Sequence, residues 1–302
     1  MRESEAMLST YDDESSLRVV QLSQHNNMPQ PTFKIMTFNL RNSREDDGLN
    51  GWDYRKHHVA DIIARYQPYI MGTQEGYKEQ LEELKSLLKH PYERFGLERE
   101  NDGEHEQIFY DPTVVERLED GNFWLSEEPD TPWKKGWDAA CVRMATWGKF
   151  RLLATQQVLY VFNTQLDHMG IQSRRESSKL LWDRIQKIAG DAPVFLIGDF
   201  NTYRYTHTYS YFTLEKVGPH FHEAWPEAAI QIGDVSDSYH GWAGIKNDDE
   251  KDAVRASHHI DWIFFRPQMT VLTVQVIIED QNGHYPSDHY PIQAEFLFPD
   301  RI

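Results

Sequence analysis

The sequence predicts an α/β fold in a single domain, on three observations. Apolar runs with strand alternation bracket helix-period stretches at 33–73 and again at 158–200. In both places the second strand runs into a carboxylate, Glu75 or Asp199. No Pro-, Gly- or Ser-rich linker divides the 302 residues. The two stretches share no letter-level repeat, so a pseudo-symmetric pair of sheets stays open at this point.

The elements follow in order. Residues 1–31 carry five acids and two bases, close on NNMPQP and lack an apolar period. They read as a mobile leader, with the folded domain over 32–302. FKIMTFN alternates Phe33, Ile35 and Thr37 against Lys34, Met36 and Phe38, which predicts a strand ending at Asn39. Val59, Ile62, Ile63 and Tyr66 recur at helical spacing and predict a helix over 52–66, stopped by Pro68. YIMGT is a short buried strand. Tyr77, Leu81, Leu84 and Leu88 predict a second amphipathic helix, ended before Pro91.

From 92 to 166, the runs QIFYD, NFWLS, VRMATWGKFRLL and VLYVFNTQL alternate with Gly, Pro and Asp clusters. This predicts a meandering antiparallel sheet. Leu181, Ile185 and Ile188 mark a further helix. VFLIGDF, HHIDWIFF, VLTVQVII and HYPIQAEFLF then predict four more strands.

Composition narrows the function. Hydrophobic residues make up 39%, aromatics 13% and charged residues 26%, which is a packed domain and excludes a disordered chain. No stretch reaches the roughly 18–20 apolar residues of a membrane span. The start lacks the basic-then-apolar layout of a secretory signal, so a cytoplasmic location is expected. Cys141 is the single cysteine, so neither an intrachain disulfide nor a cysteine-rich zinc site can form. Forty-eight acids against 31 bases give a net charge of −17, which repels long duplex DNA at a distance. An acidic protein that handles phosphates needs a cation.

Several motifs can carry such chemistry. In LIGDFNTY, strand alternation puts Asp199 and Asn201 on one face at the end of an apolar strand, where the pair can hold a water or metal and a phosphoryl oxygen; GDFN alone reads equally as an Asx turn. In HYPSDHYPI, Asp288 and His289 precede a strongly β segment, and a histidine there can carry a proton or contact phosphate; SDH alone also suits a solvated surface. In HHIDWIFF, His259 and Asp261 share a face of an apolar run, so a buried acid needs a partner, which His289 would supply. GTQEG places Glu75 between a strand and a helix, where a helix-start carboxylate is the simpler account. Asn39 closes the first strand. No HExxH, Walker, GxSxG or GxGxxG segment competes. Trp52, Trp137, Trp242 and Tyr203, all in expected loops, can stack on a base or sugar or simply pack their loops.

Taken in order, TFNL, GTQEG, NTQLDH, GDFN, HHIDWIFF and YPSDHYPI resemble the endonuclease/exonuclease/phosphatase superfamily of metal-dependent phosphodiesterases, the DNase I-like group. That group includes pancreatic-type DNases, abasic-site endonucleases, deadenylases, inositol-polyphosphate 5-phosphatases and sphingomyelinases. GWDYRKHHVADII, GNFWLSEEPDTPWKKGWDAACVR and the SDHYPI ending are similar to a bacterial branch of it. The resemblance runs from about Thr32 to the C-terminus.

It implies a four-layer α/β sandwich, two packed mixed β-sheets flanked by helices. It also implies Glu75 as principal ligand of Mg²⁺, with Mn²⁺ as the alternative ion, and Asn39 and Asp288 near the metal. Asp199 would activate the water or assist the leaving group, Asn201 would bind the scissile phosphate, and Asp261 would orient His289 onto it. Arg143 would be a second phosphate clamp or an ordinary strand-surface arginine.

One position departs from the pattern. Gln165 stands where the family usually has His, and an amide cannot carry charge. His168, three residues on, replaces it only if the chain turns first. The expected activity is magnesium-dependent hydrolysis of a phosphoester by in-line water attack, on RNA, single-stranded or small phosphorylated substrates rather than duplex DNA, by a monomer. The competing expectation is a non-catalytic phosphate-binding or scaffold protein with a decayed site.

Overall fold

The computed structural model describes residues 31–214, 220–233, 237–244 and 259–297. The expected leader lies outside the described residues except for Pro31. In chain order come β1 (Thr32–Asn39), α1 (Trp52–Tyr66), β2 (Ile70–Gln74), α2 (Lys78–Leu87), β3 (Glu93–Phe95), β4 (Ile108–Tyr110) and β5 (Val115–Trp124). Then follow β6 (Met144–Leu152), β7 (Val158–Gln165), α3 (Ile171–Ala189), β8 (Val194–Asp199), α4 (His207–Thr213) and β9 (His222–Glu223). The last are α5 (Ala224–Glu227), β10 (Ala228–Ile232), β11 (Asp261–Arg266), β12 (Thr270–Val276) and β13 (Ile292–Leu297). No helix among the described residues is long and apolar enough to cross a membrane.

These strands form two mixed sheets. One runs β10-β12-β13-β1-β2-β4-β3, the other β5-β6-β7-β8-β11-β9. The β1–α1–β2 and β7–α3–β8 units each pair their strands in parallel, one unit in each sheet. The expected meander holds only for β5, β6 and β7. QIFYD leaves it, because β4 pairs with β2 in the other sheet.

Strand alternation then builds the layers. Phe33 and Ile35 of β1, Val161 of β7, Phe195 and Ile197 of β8, Ile263 of β11 and Phe296 of β13 share one core between the sheets. The opposite faces serve the helices. Met36, Phe38 and Met71 pack on Val59, Ile62 and Ile63 of α1 and on Leu81 and Leu84 of α2. Tyr160, Phe162, Leu196 and Phe264 pack on Leu181 and Ile185 of α3 and on Phe212 of α4. The result is the four-layer α/β sandwich. Each buried large side chain stabilises it by about 1.5–3 kcal/mol.

The inner layer changes character along its length, and this positions the site. The parity that points Phe33, Ile35 and Ile197 inward continues to Thr37, Asn39 and Asp199. Gln74 Nε2 donates to Thr37 Oγ1 at 3.2 Å and to Asn163 Oδ1 at 2.7 Å. Asn163 Nδ2 in turn donates to the carbonyls of Thr73 and Gln107, at 2.9 and 3.0 Å. Buried amides thus bolt the sheets together just below the cleft, where both amide nitrogens and the Asn163 oxygen are paired while Gln74 Oε1 is left without a partner. One step further on, register places Gln165, Asp199 and Asp261 side by side on β7, β8 and β11.

Gly198 makes that alignment possible. Its φ is +147°, and a Cβ there would lie 1.9 Å from the Thr164 carbonyl oxygen. Gly198→Ala is therefore expected to cost at least about 2 kcal/mol, from backbone strain and overpacking together. A urea midpoint equal to that of the parent chain would refute this.

Candidate active site

The strand ends deliver polar side chains to one cleft of about 440 Å³, lined by Glu75, Arg143, Gln165, His168, Asp199, Asn201, Asp288 and His289. Glu75 follows β2 in the left-handed conformation, φ +63°. Two amides bracket its carboxylate and that of Asp199. Asn39 Nδ2 donates to Glu75 Oε1 at 2.9 Å and to Asp199 Oδ2 at 3.2 Å. Gln165 Nε2 does the same at 2.8 and 3.1 Å. Asn39 Oδ1 is taken by the Arg41 amide at 2.9 Å, so Asn39 acts on Glu75 as a donor.

The Asx turn expected of GDFN is present, at the edge of the cleft. The Asn201 amide donates to Asp199 Oδ1 at 2.9 Å, an Asx turn, and Asn201 sits at φ +45°. Its side chain donates to the Leu166 carbonyl at 3.0 Å and still borders the cleft. Asp261 meets His289 as the pairing argument requires, Oδ2 to Nδ1 at 2.8 Å. Ser238, which carries no sequence signal, completes the support. Its hydroxyl donates to Asp261 Oδ2 at 2.7 Å and accepts the amides of Ile260 and Asp261 at 2.8 and 3.0 Å.

His259 does not share the face of Asp261. It lies ahead of β11, fully buried with its ring 4.3 Å from Trp262, on the helix side of the sheet. Burial pushes its pKa down to about 3, which leaves it a neutral packing residue.

The chain does turn after Gln165. Asp167 accepts the amides of Ala140, Cys141, Met169 and Gly170 at 2.7–3.1 Å and closes the loop. Burial opposes its charge, yet these N–H groups hold its carboxyl down to about 2. His168 thereby reaches the cleft rim, where Arg143 Nη2 donates to its Nδ1 at 3.2 Å. The vacancy is nevertheless filled by Gln165 itself. Arg143 Nη1 donates to Gln165 Oε1, which turns the amide nitrogen onto Glu75 and Asp199. Arg143 is buried and not a strand-surface residue.

Charge is concentrated here. Burial raises Asp199 to about 6, reinforced by the nearby Asp261 charge. Burial also raises Asp288, helped by Glu75 and opposed by His289. Glu75 behaves differently. Burial works against its charge, but His289, the Asn39 and Gln165 amides and Arg143 outweigh it and hold the carboxyl below the usual range. Burial disfavours the His289 imidazolium, yet Asp261, Asp288 and Asp199 raise it to about 10. At neutral pH the ring is therefore a cation.

This donor set fits a divalent cation. Half-buried Glu75 and buried Asp288 are carboxylates on one cleft, and the charge of Glu75 raises the proton affinity of Asp288 against the opposing pull of His289, Arg41 and Arg55. Oxygen donors of this kind suit a hard ion. Ligand atoms of Asp199, Asp261 and His289 also lie within 4.8 Å of one another.

Four aromatics were expected in loops, and they separate. Trp52 opens α1 and donates to Glu83 Oε2 at 2.8 Å, so it is a packing residue. Trp137 and Trp242 are half-buried in turns away from the cleft wall. Tyr203 lines the cleft, joined by Tyr239, whose ring lies 5.0 Å from His289. Arg41, Asn42, Arg99, Glu104 and Ile260 also line it and were not legible beforehand.

The Endonuclease/Exonuclease/phosphatase family model matches residues 36–289. The chain belongs to this family. Its members hydrolyse phosphoric esters and generally use divalent metals. An endonuclease/exonuclease/phosphatase from Bacteroides vulgatus is 33% identical with a TM-score of 0.81, over 89% of this chain and 100% of that one. A mannosyl-6-phosphatase from Bacteroides thetaiotaomicron is 28% identical with a TM-score of 0.76, over 88% and 100%. Zebrafish (D. rerio) TDP2 complexed with single strand DNA product, 20% identical over 88% of this chain and 98% of that one, shares the fold at a TM-score of 0.66. Comparison with curated proteins finds no match.

Proposed function

We propose that the protein is a magnesium-dependent phosphoesterase acting on small phosphorylated substrates, with a sugar phosphate monoester as the leading class. The observation that supports it most is the placement of Asp199 beside the Asp261–His289 pair in one cleft with Glu75 and Asp288. Asp199, buried and held by three amide groups, accepts a proton from the attacking water as its oxygen bonds to phosphorus. The bond from phosphorus to the leaving oxygen breaks on the opposite side. With Nδ1 engaged by Asp261, His289 offers Nε2 to a phosphate oxygen, and Asn201 offers the side-chain N–H that otherwise reaches Asp199 Oδ2 at 3.3 Å. Glu75 and Asp288 would hold Mg²⁺, or Mn²⁺, which supplies charge neutralisation at the phosphoryl group.

Substrate size and charge support the small-molecule reading. A cleft of about 440 Å³ suits one small ligand, and a net charge of −17 disfavours a polyanion. The Bacteroides thetaiotaomicron relative is a mannosyl-6-phosphatase over its full matched length. A cytoplasmic monomer is part of the proposal, since the lone Cys141 suits a reducing compartment.

A panel of sugar phosphates, nucleotides, RNA, single-stranded DNA, inositol phosphates and sphingomyelin with Mg²⁺ tests this. Release of phosphate from sugar phosphates, abolished by EDTA and restored by Mg²⁺ or Mn²⁺, is the expected result. Turnover undiminished by exhaustive chelation would remove the metal from the proposal, and cleavage of single strands alone would replace the substrate class. Silence across the panel would favour a non-catalytic phosphate-binding protein.

A further inference from the structure

The catalytic groups leave one wall of the cleft without a task. It is formed by Arg99 and Glu104, each less than a tenth exposed, paired at 2.7 Å and both bordering the cleft. They sit on a hairpin tongue between β3 and β4. The Arg99 amide donates to the Glu104 carbonyl, and the turn closes through the Gly103 amide on Glu100, both at 2.9 Å. The tongue is anchored twice. The His105 amide donates to the Gly76 carbonyl at 2.9 Å, next to Glu75, and Trp124 Nε1 donates to the Arg99 carbonyl at 2.7 Å.

This wall is built for polar contact and is not saturated. Arg99 Nε is buried with no hydrogen-bond partner. Burial pushes Glu104 up to about 7 in spite of Arg99. An ion pair this deep contributes little stability against its own desolvation, so a purely structural purpose explains it poorly.

We propose that Arg99 and Glu104 form the leaving-group subsite and recognise adjacent hydroxyls of a phosphorylated sugar. The inference rests on the phosphoesterase reading of the same cleft. A hydroxyl both donates and accepts, and a carboxylate beside a guanidinium fork offers one acceptor and several donors to two neighbouring hydroxyls. An aromatic or plain alkyl leaving group satisfies neither partner, and leaves both desolvated and unmet. Tyr203 and Tyr239 border the same cleft and supply ring faces for the sugar.

The test compares a hexose 6-phosphate with p-nitrophenyl phosphate on the full chain with Mg²⁺. The parent chain is expected to favour the hexose phosphate in kcat/KM, and Glu104→Gln to lower that preference about 10–100-fold, mainly through KM. Arg99→Lys, which keeps the charge and loses the fork, is expected to lower it in the same direction. Equal losses on both substrates would assign the pair a structural role and overturn the subsite. No preference in the parent chain would overturn it as well. Calorimetric binding of the hexose phosphate reads the subsite apart from turnover. If nothing is hydrolysed yet Glu104→Gln weakens binding tenfold, the subsite stands and the hydrolase reading falls. Binding equal to that of the parent chain overturns the subsite.

Discussion

Asp199→Asn is expected to lower kcat/KM by about 10²–10⁴-fold with the fold intact, and His289→Ala to do the same. That range corresponds to about 3–5 kcal/mol of lost transition-state stabilisation. The reasons differ. Asn at 199 keeps the volume and one acceptor for the Asn39, Gln165 and Asn201 donors, but it cannot take a proton from water. Ala at 289 deletes a cation that faces Asp261, Asp199 and Asp288 together, so both phosphate contact and local charge balance go.

Stability separates function from damage in the first variant. Asp199 is a carboxylate buried among other acids, so its neutral replacement is expected to hold or raise the thermal midpoint, the usual trade at a functional site. Steady-state rates on the best substrate of the panel, with circular dichroism on the same samples, check both. A folded Asp199→Asn protein at the parent rate would remove Asp199 from the chemistry.

Much of this site was readable because it lies where strong strand signals end. VFLIGDF, FKIMTFN and VLYVFNTQ are long apolar runs, and period-two alternation carries their inward parity straight to Asp199, Asn39 and Gln165. The elements that escaped are short or aperiodic. β3 is three residues, α4 reads HTYSYFT without a stripe, and β9, α5 and β10 follow one another within 222–232. Their form is imposed by tertiary pairing, not by local pattern.

The same cause hid the rest of the cleft. EREND and GEHEQ read as a charged loop, and only the antiparallel pairing of β3 with β4 turns Arg99 and Glu104 into one wall. Ser238 and Tyr239 reach Asp261 and His289 through a single bridge between Tyr239 and His289, a contact with no local signature. His259 misled for the opposite reason. Strand alternation does not reach back to it, because β11 begins at Asp261.

Gln165 is expected to be the second most sensitive position, and its variants decide how the amide serves. Gln165→Leu keeps bulk but removes the donor shared by Glu75 and Asp199 and strands Arg143 Nη1, so a loss of about 10²-fold in kcat is expected. Gln165→His is expected to preserve or raise the rate. A neutral imidazole that accepts from Arg143 through one nitrogen and donates to the carboxylates through the other reproduces both contacts, and it can take up a proton when it gives up the Arg143 contact. His168→Ala is expected to cost far less than His289→Ala, because His168 is exposed at the rim and touches Arg143 rather than the carboxylates. A severe loss in His168→Ala with no response to Gln165→His would mean that the loop closes during turnover and brings the rim histidine inward. Parent-like rates in Gln165→Leu would show that Arg143 and Gln165 hold each other and nothing more.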